Sequence, residues 1–380
     1  MKIAVVYDCL YPHTIGGAER WYRSLAEGLA AHGHEVTYLT MRQWPRGADP
    51  GFPGVEVVPV APRMGLYVRG RRRILPPVVF GAGVFWHLLR HGRRYDVLHT
   101  CSFPYFSLLA AAWLRPFRKY RVVADWFEVW SREYWREYLG RLGFVGAWIQ
   151  RRCARTRHMA FCFSRLHAER LRKLGFRGEV TILEGLLTGR PSAPGRPAEP
   201  LVVFAGRHIP EKRVPAIVPA IARARKQLPG LRCEIFGDGP EREETLRLIR
   251  EYGLNGAVEA PGFVSAERVH ETIARALCLL LPSSREGYGL VVAEAASMGT
   301  PSVVVEGPDN AAAELVETGI NGIVALSAAP DDLAEAIRLA HEGGDALRAS
   351  TKAWFERNAD RLSIETSVDR VVSAYEHALA

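Results

Sequence analysis

The sequence predicts an α/β protein made of two doubly wound parallel-sheet domains, and three observations predict it. Short uncharged apolar runs alternate with helix-length amphipathic stretches from the first residues onward, the pattern of a parallel sheet whose crossovers are helices. A stretch dense in Pro and Gly, EGLLTGRPSAPGRPAEP (184–200), interrupts this alternation near the midpoint. The alternation then restarts with LVVFA (201–205), and 380 residues suffice for two sizeable cores. The expected domains are 1–184 and 201–362, joined by a linker at 185–200 and followed by a helical stretch at 363–380.

In the first half, residues 3–7, 35–40, 55–60, 96–100, 121–124, 160–164 and 180–183 read as strands, with helical segments between most of them. The first strand turns into its helix through PHTIGGAER (12–20). There Gly16 and Gly17 let backbone N–H groups approach an anion, at the strand end where open α/β sheets bind ligands. A tight turn with no ligand explains the same pair. After the strand at 121–124 comes ADWFEVWSREYW (124–135), with three tryptophans, a tyrosine and three acids. Ring faces pack on sugar C–H surfaces while acids take hydroxyls, which makes Asp125, Trp126, Glu128 and Trp130 acceptor candidates. A hydrophobic cluster under a long loop is the plainer explanation.

Charge is divided unevenly. Residues 1–184 hold 29 Lys and Arg against 14 Asp and Glu, while the whole chain holds 50 against 41. APRMGLYVRGRRR (61–73) and LGRLGFVGAWIQRRCARTRH (139–158) interleave apolar residues with arginines. Two readings stay open: an apolar side facing the core with wet arginines, or amphipathic segments on an anionic membrane. No nucleic-acid motif accompanies the basic half, so no nucleic-acid partner is expected. Six scattered cysteines without a C-x-x-C argue for reduced thiols and against a structural zinc. The N-terminus runs directly into a strand, and the longest apolar run (74–89) carries Pro76, Pro77, two glycines and His87. A cytoplasmic protein is therefore expected, with a peripheral contact at the inner membrane face as the sharper reading of the basic half.

In the second half, strands are expected at 201–205, 232–236, 258–260, 277–281 and 302–305. GRHIPEKR (206–213) follows the first, and Arg207 and Lys212, five residues apart on a loop entering a helix, can reach one diphosphate. A solvated basic turn is the alternative. GDGP (237–240) and PGFV (261–264) end the next two strands. The fourth leads into SSREGYGLVVAEAASMGTP (283–301). Gly287 and Gly289 permit close backbone approach, Leu290 opens a helix, and Gly299 and Pro301 stop it. Glu286 ahead of that helix and Glu294 one turn inside it can both face a pocket at the helix N-terminus, whose free N–H groups suit a phosphate. An acidic first turn stabilising its own dipole is the simpler alternative.

The Glu-x7-Glu spacing in REGYGLVVAEAASMGTP resembles the signature of the retaining GT-B glycosyltransferases of the GT4 family. The likeness covers nearly the whole chain, strongest over 201–325 and weakest over 40–95. It implies a GT-B fold, two Rossmann-like domains facing a central cleft, with the terminal helix crossing back to the first domain. It implies that Arg207 and Lys212 neutralise the donor pyrophosphate, that Glu286 binds hydroxyls of the donor sugar and that Glu294 holds the ribose. By the same likeness the donor is bound also by Gly206, Gly237, Gly262, Phe263, Val264, Tyr288, Gly289 and Leu290, and Gly16 and Gly17 border donor phosphate and acceptor. Many relatives carry a His where Phe127 stands, near the donor 6-hydroxyl. Phe127 cannot hydrogen-bond that group, which points to a pentose or 6-deoxy donor.

The expected activity is retaining, metal-independent transfer of a sugar from a UDP- or GDP-sugar to a hydroxyl of a glycan, a lipid-linked sugar or a small natural product. No cofactor is expected beyond the nucleotide-sugar co-substrate. Two rivals are kept. One is a GT-B nucleotide-sugar epimerase, the other a non-catalytic nucleotide-sugar binder, which the set Arg207, Lys212, Glu286 and Glu294 disfavours.

Overall fold

The computed structural model describes residues 1–68, 71–189 and 198–379. The centre of the expected linker, 190–197, and residues 69–70 of the basic loop lie outside these. The chain divides into two compact units, Met1–Leu186 with Ile364–Ala380, and Leu187–Ser363.

Unit 1 carries a seven-stranded parallel sheet of β1 (Lys2–Val6), β2 (Glu35–Met41), β3 (Glu56–Ala61), β4 (Val97–Cys101), β5 (Arg121–Trp126), β6 (Met159–Cys162) and β7 (Val180–Ile182). Their spatial order is β3-β2-β1-β4-β5-β6-β7. The order reverses between β1 and β4, and such a switch point is where open α/β sheets take ligands, outside the carboxyl ends of the strands. Both faces are covered by helices, so the strands are almost wholly apolar and buried. The helices are α1 (Gly17–Ala31), α2 (Leu75–His91), α3 (Phe106–Arg118), α4 (Arg132–Leu139), α5 (Gly143–Ala154) and α6 (Arg165–Lys173). The apolar run at 74–89 is helix α2, with Pro76 and Pro77 in its first turn, where a missing N–H costs nothing.

Unit 2 repeats the plan with six parallel strands, β8 (Leu201–Ala205), β9 (Arg232–Phe236), β10 (Val258–Gly262), β11 (Cys278–Leu281), β12 (Ser302–Val305) and β13 (Gly322–Ala325), in the order β10-β9-β8-β11-β12-β13. Its helices are α7 (Ile217–Ala224), α8 (Arg242–Glu251), α9 (Ala266–Arg275), α10 (Leu290–Ser297) and α11 (Pro330–Leu362), which breaks at Gly344 where φ is 44°. The edge strand β13 is the element that the sequence reading lacks. It starts at a glycine inside a turn motif, and Gly322 is held there because a Cβ would lie 2.1 Å from the Ser302 carbonyl oxygen.

The final helix α12 (Ile364–Leu379) belongs to unit 1. It packs on α1, where a Cβ on Gly28 would lie 2.7 Å from Val368. The Ser367 hydroxyl accepts from the Gly185 N–H at 3.2 Å, and the Arg370 guanidinium donates to the Ile182 carbonyl at 3.3 Å. All six cysteines are buried free thiols. Among the described residues no helix is long and apolar enough to cross a membrane.

Candidate active site

The residues that the sequence singles out in unit 2 converge at the carboxyl edge of its sheet, on either side of the switch point between β8 and β11. The turn after β8 is a short 3-10 helix, Pro210–Lys212, closed by Arg213 in the left-handed region with φ 51°. The loop after β11 is stitched to it. The Ser284 N–H donates to the Glu211 carbonyl at 2.8 Å, the Ser284 hydroxyl donates to the same oxygen at 3.2 Å, and Arg285 pairs with the Glu211 carboxylate at 3.2 Å.

These contacts bring Lys212 and Glu286 together. The Lys212 ammonium donates to Glu286 Oε1, and the same oxygen accepts from the Ser283 hydroxyl at 2.7 Å. Glu286 is 8% exposed, buried enough to feel its partners strongly and open enough to be reached. Its backbone is fixed by a two-residue parallel ladder, Arg285 with Asp309 and Glu286 with Asn310. The Asn310 amide in turn donates to the Ser283 carbonyl at 3.2 Å and the Val305 carbonyl at 2.7 Å. Ser283 and Asn310 are buried groups that position this carboxylate; Ser283 is legible as a hydroxyl three residues before Glu286, whereas nothing in the sequence marks Asn310, 24 residues after it.

Helix α10 is preceded by Gly289 at its N-cap, whose φ of 96° an L side chain rarely adopts, and a Cβ there would sit 2.5 Å from the Ala312 Cβ. Among the described residues no side chain caps this end, which leaves its first-turn N–H groups without a side-chain acceptor. Tyr288 is buried, Leu290 is half-buried, and Glu294 lies half-buried one turn into the helix. Arg207 is exposed and makes no ion pair among the described residues, so its charge is uncommitted.

The three glycines at the carboxyl ends of β8, β9 and β10 form one feature. The Gly206 N–H donates to the Phe236 carbonyl at 3.1 Å, and the Gly237 N–H donates to the Gly262 carbonyl at 2.9 Å. A Cβ on Gly237, where φ is 116°, would lie 1.9 Å from the Gly206 oxygen. His208 lies fully buried against this stack, and burial holds its imidazole below the ordinary range. Phe263 is 77% exposed, with Val264 half-buried beside it.

The unit 1 candidates are placed differently. Asp125 is fully buried, accepting from the Trp21 indole at 2.7 Å through one oxygen and from His99 Nε2 at 2.7 Å through the other. Trp126 is fully buried and donates to His158 Nε2 at 3.1 Å. Neither presents a face to an acceptor, and the expectation for both is corrected on that ground. An acid directly after an apolar run predicts a loop residue, but β5 runs two residues further and carries Asp125 into the core. Glu128 and Trp130 do reach the carboxyl edge. They are half-buried and bonded to each other at 2.6 Å, and the Gln150 side chain clamps the Trp130 backbone from α5 through two bonds of 2.9 Å. Phe127 stacks on Phe163 at 4.1 Å. At the head of α1, a Cβ on Gly16 would lie 2.3 Å from the Glu19 carboxylate, so an anion approaching Gly16 meets a like charge; Gly17 is open.

Two parallel sheets with this strand order, one bearing a cation and carboxylate set at its carboxyl edge, agree with the GT-B glycosyltransferase fold that the sequence resemblance implies. Family models match both halves: Glycosyltransferase Family 4 over residues 15–185 and Glycosyl transferases group 1 over residues 190–357. The chain belongs to the GT4-type glycosyltransferases.

Among curated relatives, the chain is 32% identical to an alpha-D-kanosaminyltransferase of Streptomyces kanamyceticus, over 36% of this chain and 35% of that protein. It is 32% identical to an exopolysaccharide phosphotransferase of Streptomyces coelicolor over 46% of this chain, a match spanning only 21% of that protein. A glycogen synthase of Mycobacterium tuberculosis is 26% identical over 99% of this chain and 94% of its own length. Among solved structures, sucrose-phosphate synthase from Thermosynechococcus elongatus superposes with a TM-score of 0.82 at 19% identity, covering 99% of this chain and 98% of that one. HepE of Anabaena, solved in complex with UDP-glucose, gives 0.73 at 17% identity, covering 99% and 100%. At such identities the likeness is one of fold. None of these matches favours an epimerase.

Proposed function

We propose that this glycosyltransferase moves a sugar from a nucleoside-diphosphate sugar to a hydroxyl of a glycan, lipid-linked or small-molecule acceptor, with retention of configuration. The observation that carries the reading is the joining of Lys212 to Glu286 beside the uncapped start of α10, with Arg207 uncommitted on the adjacent turn. An incoming diphosphate competes with Glu286 for the Lys212 ammonium, and the freed carboxylate then accepts from sugar hydroxyls. Arg207, Lys212 and the α10 amides supply positive charge where the leaving diphosphate gains negative charge, so the reading calls for no metal. Glu294 takes the ribose, and Phe263 and Val264 take the base.

Phe127 in the family's His position makes a pentose or 6-deoxy sugar the donor of choice. A relative that transfers kanosamine and a neighbour crystallised with UDP-glucose support the substrate class without fixing the sugar. A peripheral contact with anionic membrane belongs to the same reading. It is supported by exposed Trp86, Trp113, Phe117, Phe144 and Trp148 on the arginine-rich helices of unit 1. The test is thermal stabilisation by a panel of UDP- and GDP-sugars, followed by product mass from each that binds. Stabilisation by none of them, or only by hexose donors with an intact 6-hydroxyl, overturns the whole reading or its Phe127 part respectively.

A further inference from the structure

A second basic feature lies at the opposite edge of the unit 1 sheet. The amino-terminal ends of β4, β5, β6 and β7 border a cavity of about 290 Å3, closed on one side by Tyr375 and Ala378 of α12. Arg115, Arg121 and Arg157 line it, entering from the last turn of α3, the first residue of β5 and the residue two before β6. The helix dipole favours Arg115 at its position and accounts for that residue alone. None of the three arginines pairs with a carboxylate among the described residues, although Glu179 also lines the cavity. The remaining walls are largely apolar, Val97, Val122 and Met159 among them. His158, on the rim, adds no charge at neutral pH, because burial lowers it to about 4.

Guanidinium groups gathered with no carboxylate paired to them repel one another, and at Arg115 burial and then the charges of Arg157 and Arg121 hold the pKa below its ordinary value. Planar forks converging on an apolar-walled cavity suit an anion with several oxygens, since phosphate can accept from all three and cancel their repulsion. We propose that this cavity binds a small phosphate-bearing anion through Arg115, Arg121 and Arg157, at a site separate from the carboxyl edge where the transfer chemistry lies. Its size admits a phosphate with a short organic group. The phosphate comes either from a free metabolite or from a lipid headgroup.

The test uses the full chain and two probes, inorganic phosphate and phosphatidylglycerol vesicles, at matched ionic strength. Arg121 and Arg157 are exposed, so Arg121→Ala with Arg157→Ala is a safe double variant. Inorganic phosphate should raise Tm saturably by about 2–4 °C in the parent chain and in Lys212→Ala, and the rise should be lost in the double variant. The double variant without phosphate should melt at or above the parent, because repulsion has been removed. If phosphate gives no rise while vesicles bind and the double variant binds them at least tenfold more weakly, the headgroup is the source and the site stands. A phosphate response that survives in the double variant, or that disappears in Lys212→Ala instead, overturns the proposal. So does the absence of any response to both probes.

Discussion

Units 1 and 2 wind their strands in the same order around the same switch point, yet they place their carboxylates in opposite ways. In unit 2 the acid after the fourth strand, Glu286, sits at the sheet edge and shares one oxygen between Lys212 and Ser283. On the proposed function, an incoming diphosphate draws its cation away and frees the carboxylate. In unit 1 the acid at the end of β5, Asp125, is spent inside the core on Trp21 and His99. Its partners cannot leave without breaking the fold. The two units thus carry an acid on neighbouring strand positions, one in the loop beyond the fourth strand and one inside the fifth, and burial separates the reachable carboxylate from the one committed to the core.

The sharpest way to break this comparison is Asp125→Ala. It leaves the Trp21 indole and His99 Nε2 buried without an acceptor, and the expected loss is about 4 kcal/mol of stability. Eight of the nine tryptophans lie in unit 1, so urea unfolding followed by tryptophan fluorescence reports that unit. A loss within about 0.5 kcal/mol would show that Asp125 behaves as a surface acid. Next in size is Lys212→Ala, on the other side of the comparison. Its turnover should fall by roughly 10²–10³-fold, about 3 kcal/mol of transition-state stabilisation, while donor affinity falls far less. Turnover equal to the parent's would remove Lys212 from the chemistry.

The two carboxylates also show what the sequence could tell. Glu286, Lys212 and Gly289 are legible because each stands at a fixed spacing within its own short loop motif, and both the turn after β8 and the start of α10 announce themselves through Gly and Pro. The strands were legible because parallel strands buried on both faces are written as uninterrupted apolar runs. Asp125 was misread because its fate depends on Trp21, 104 residues away, and on His99, 26 residues away. The contact of Gly206 with Gly237, the Gln150 clamp and the strand β13 escaped for the same reason: each is settled by a partner far along the chain.

Acid should sharpen the contrast by loosening unit 1. His158 is buried and accepts from the Trp126 indole, and burial lowers its pKa from about 6.5 to about 4. The unfolded chain therefore binds a proton between these values that the folded chain refuses, so stability falls as pH drops through the window. Between pH 7 and pH 5 the loss is about 2 kcal/mol from His158 alone. His87, also lowered to about 4 by burial and then His91, acts in the same direction with more solvent around it. His158→Gln keeps an acceptor for Trp126 without the titration. Urea midpoints at the two pH values should lie closer together in that variant, and an unchanged gap would assign the acid sensitivity elsewhere.

The smallest expected effect is the most local. Tyr375 on α12 is fully buried, and its hydroxyl meets His99 Nδ1. In the tautomer whose Nε2–H donates to the Asp125 carboxylate, Nδ1 accepts from the tyrosine, so each donor in the row has one acceptor. The burial that pushes the Tyr375 phenol well above its ordinary range keeps that proton in place. This bond spans 276 residues and ties unit 1 to a helix that the chain reaches only after building unit 2. Tyr375→Phe retains the ring and leaves Nδ1 without its donor, at a cost of about 1 kcal/mol. The ring packing, the Ser367 bond to Gly185 and the close approach of Val368 to Gly28 remain. The core of unit 1 should therefore stay intact while α12 opens more often. Hydrogen exchange should show α12 amides exchanging about fivefold faster, with those of β1 and β4 unchanged. Equal acceleration in all three would mean that the hydroxyl supports the whole unit. No acceleration would mean that α12 is held by packing alone, and that the buried row ends at His99.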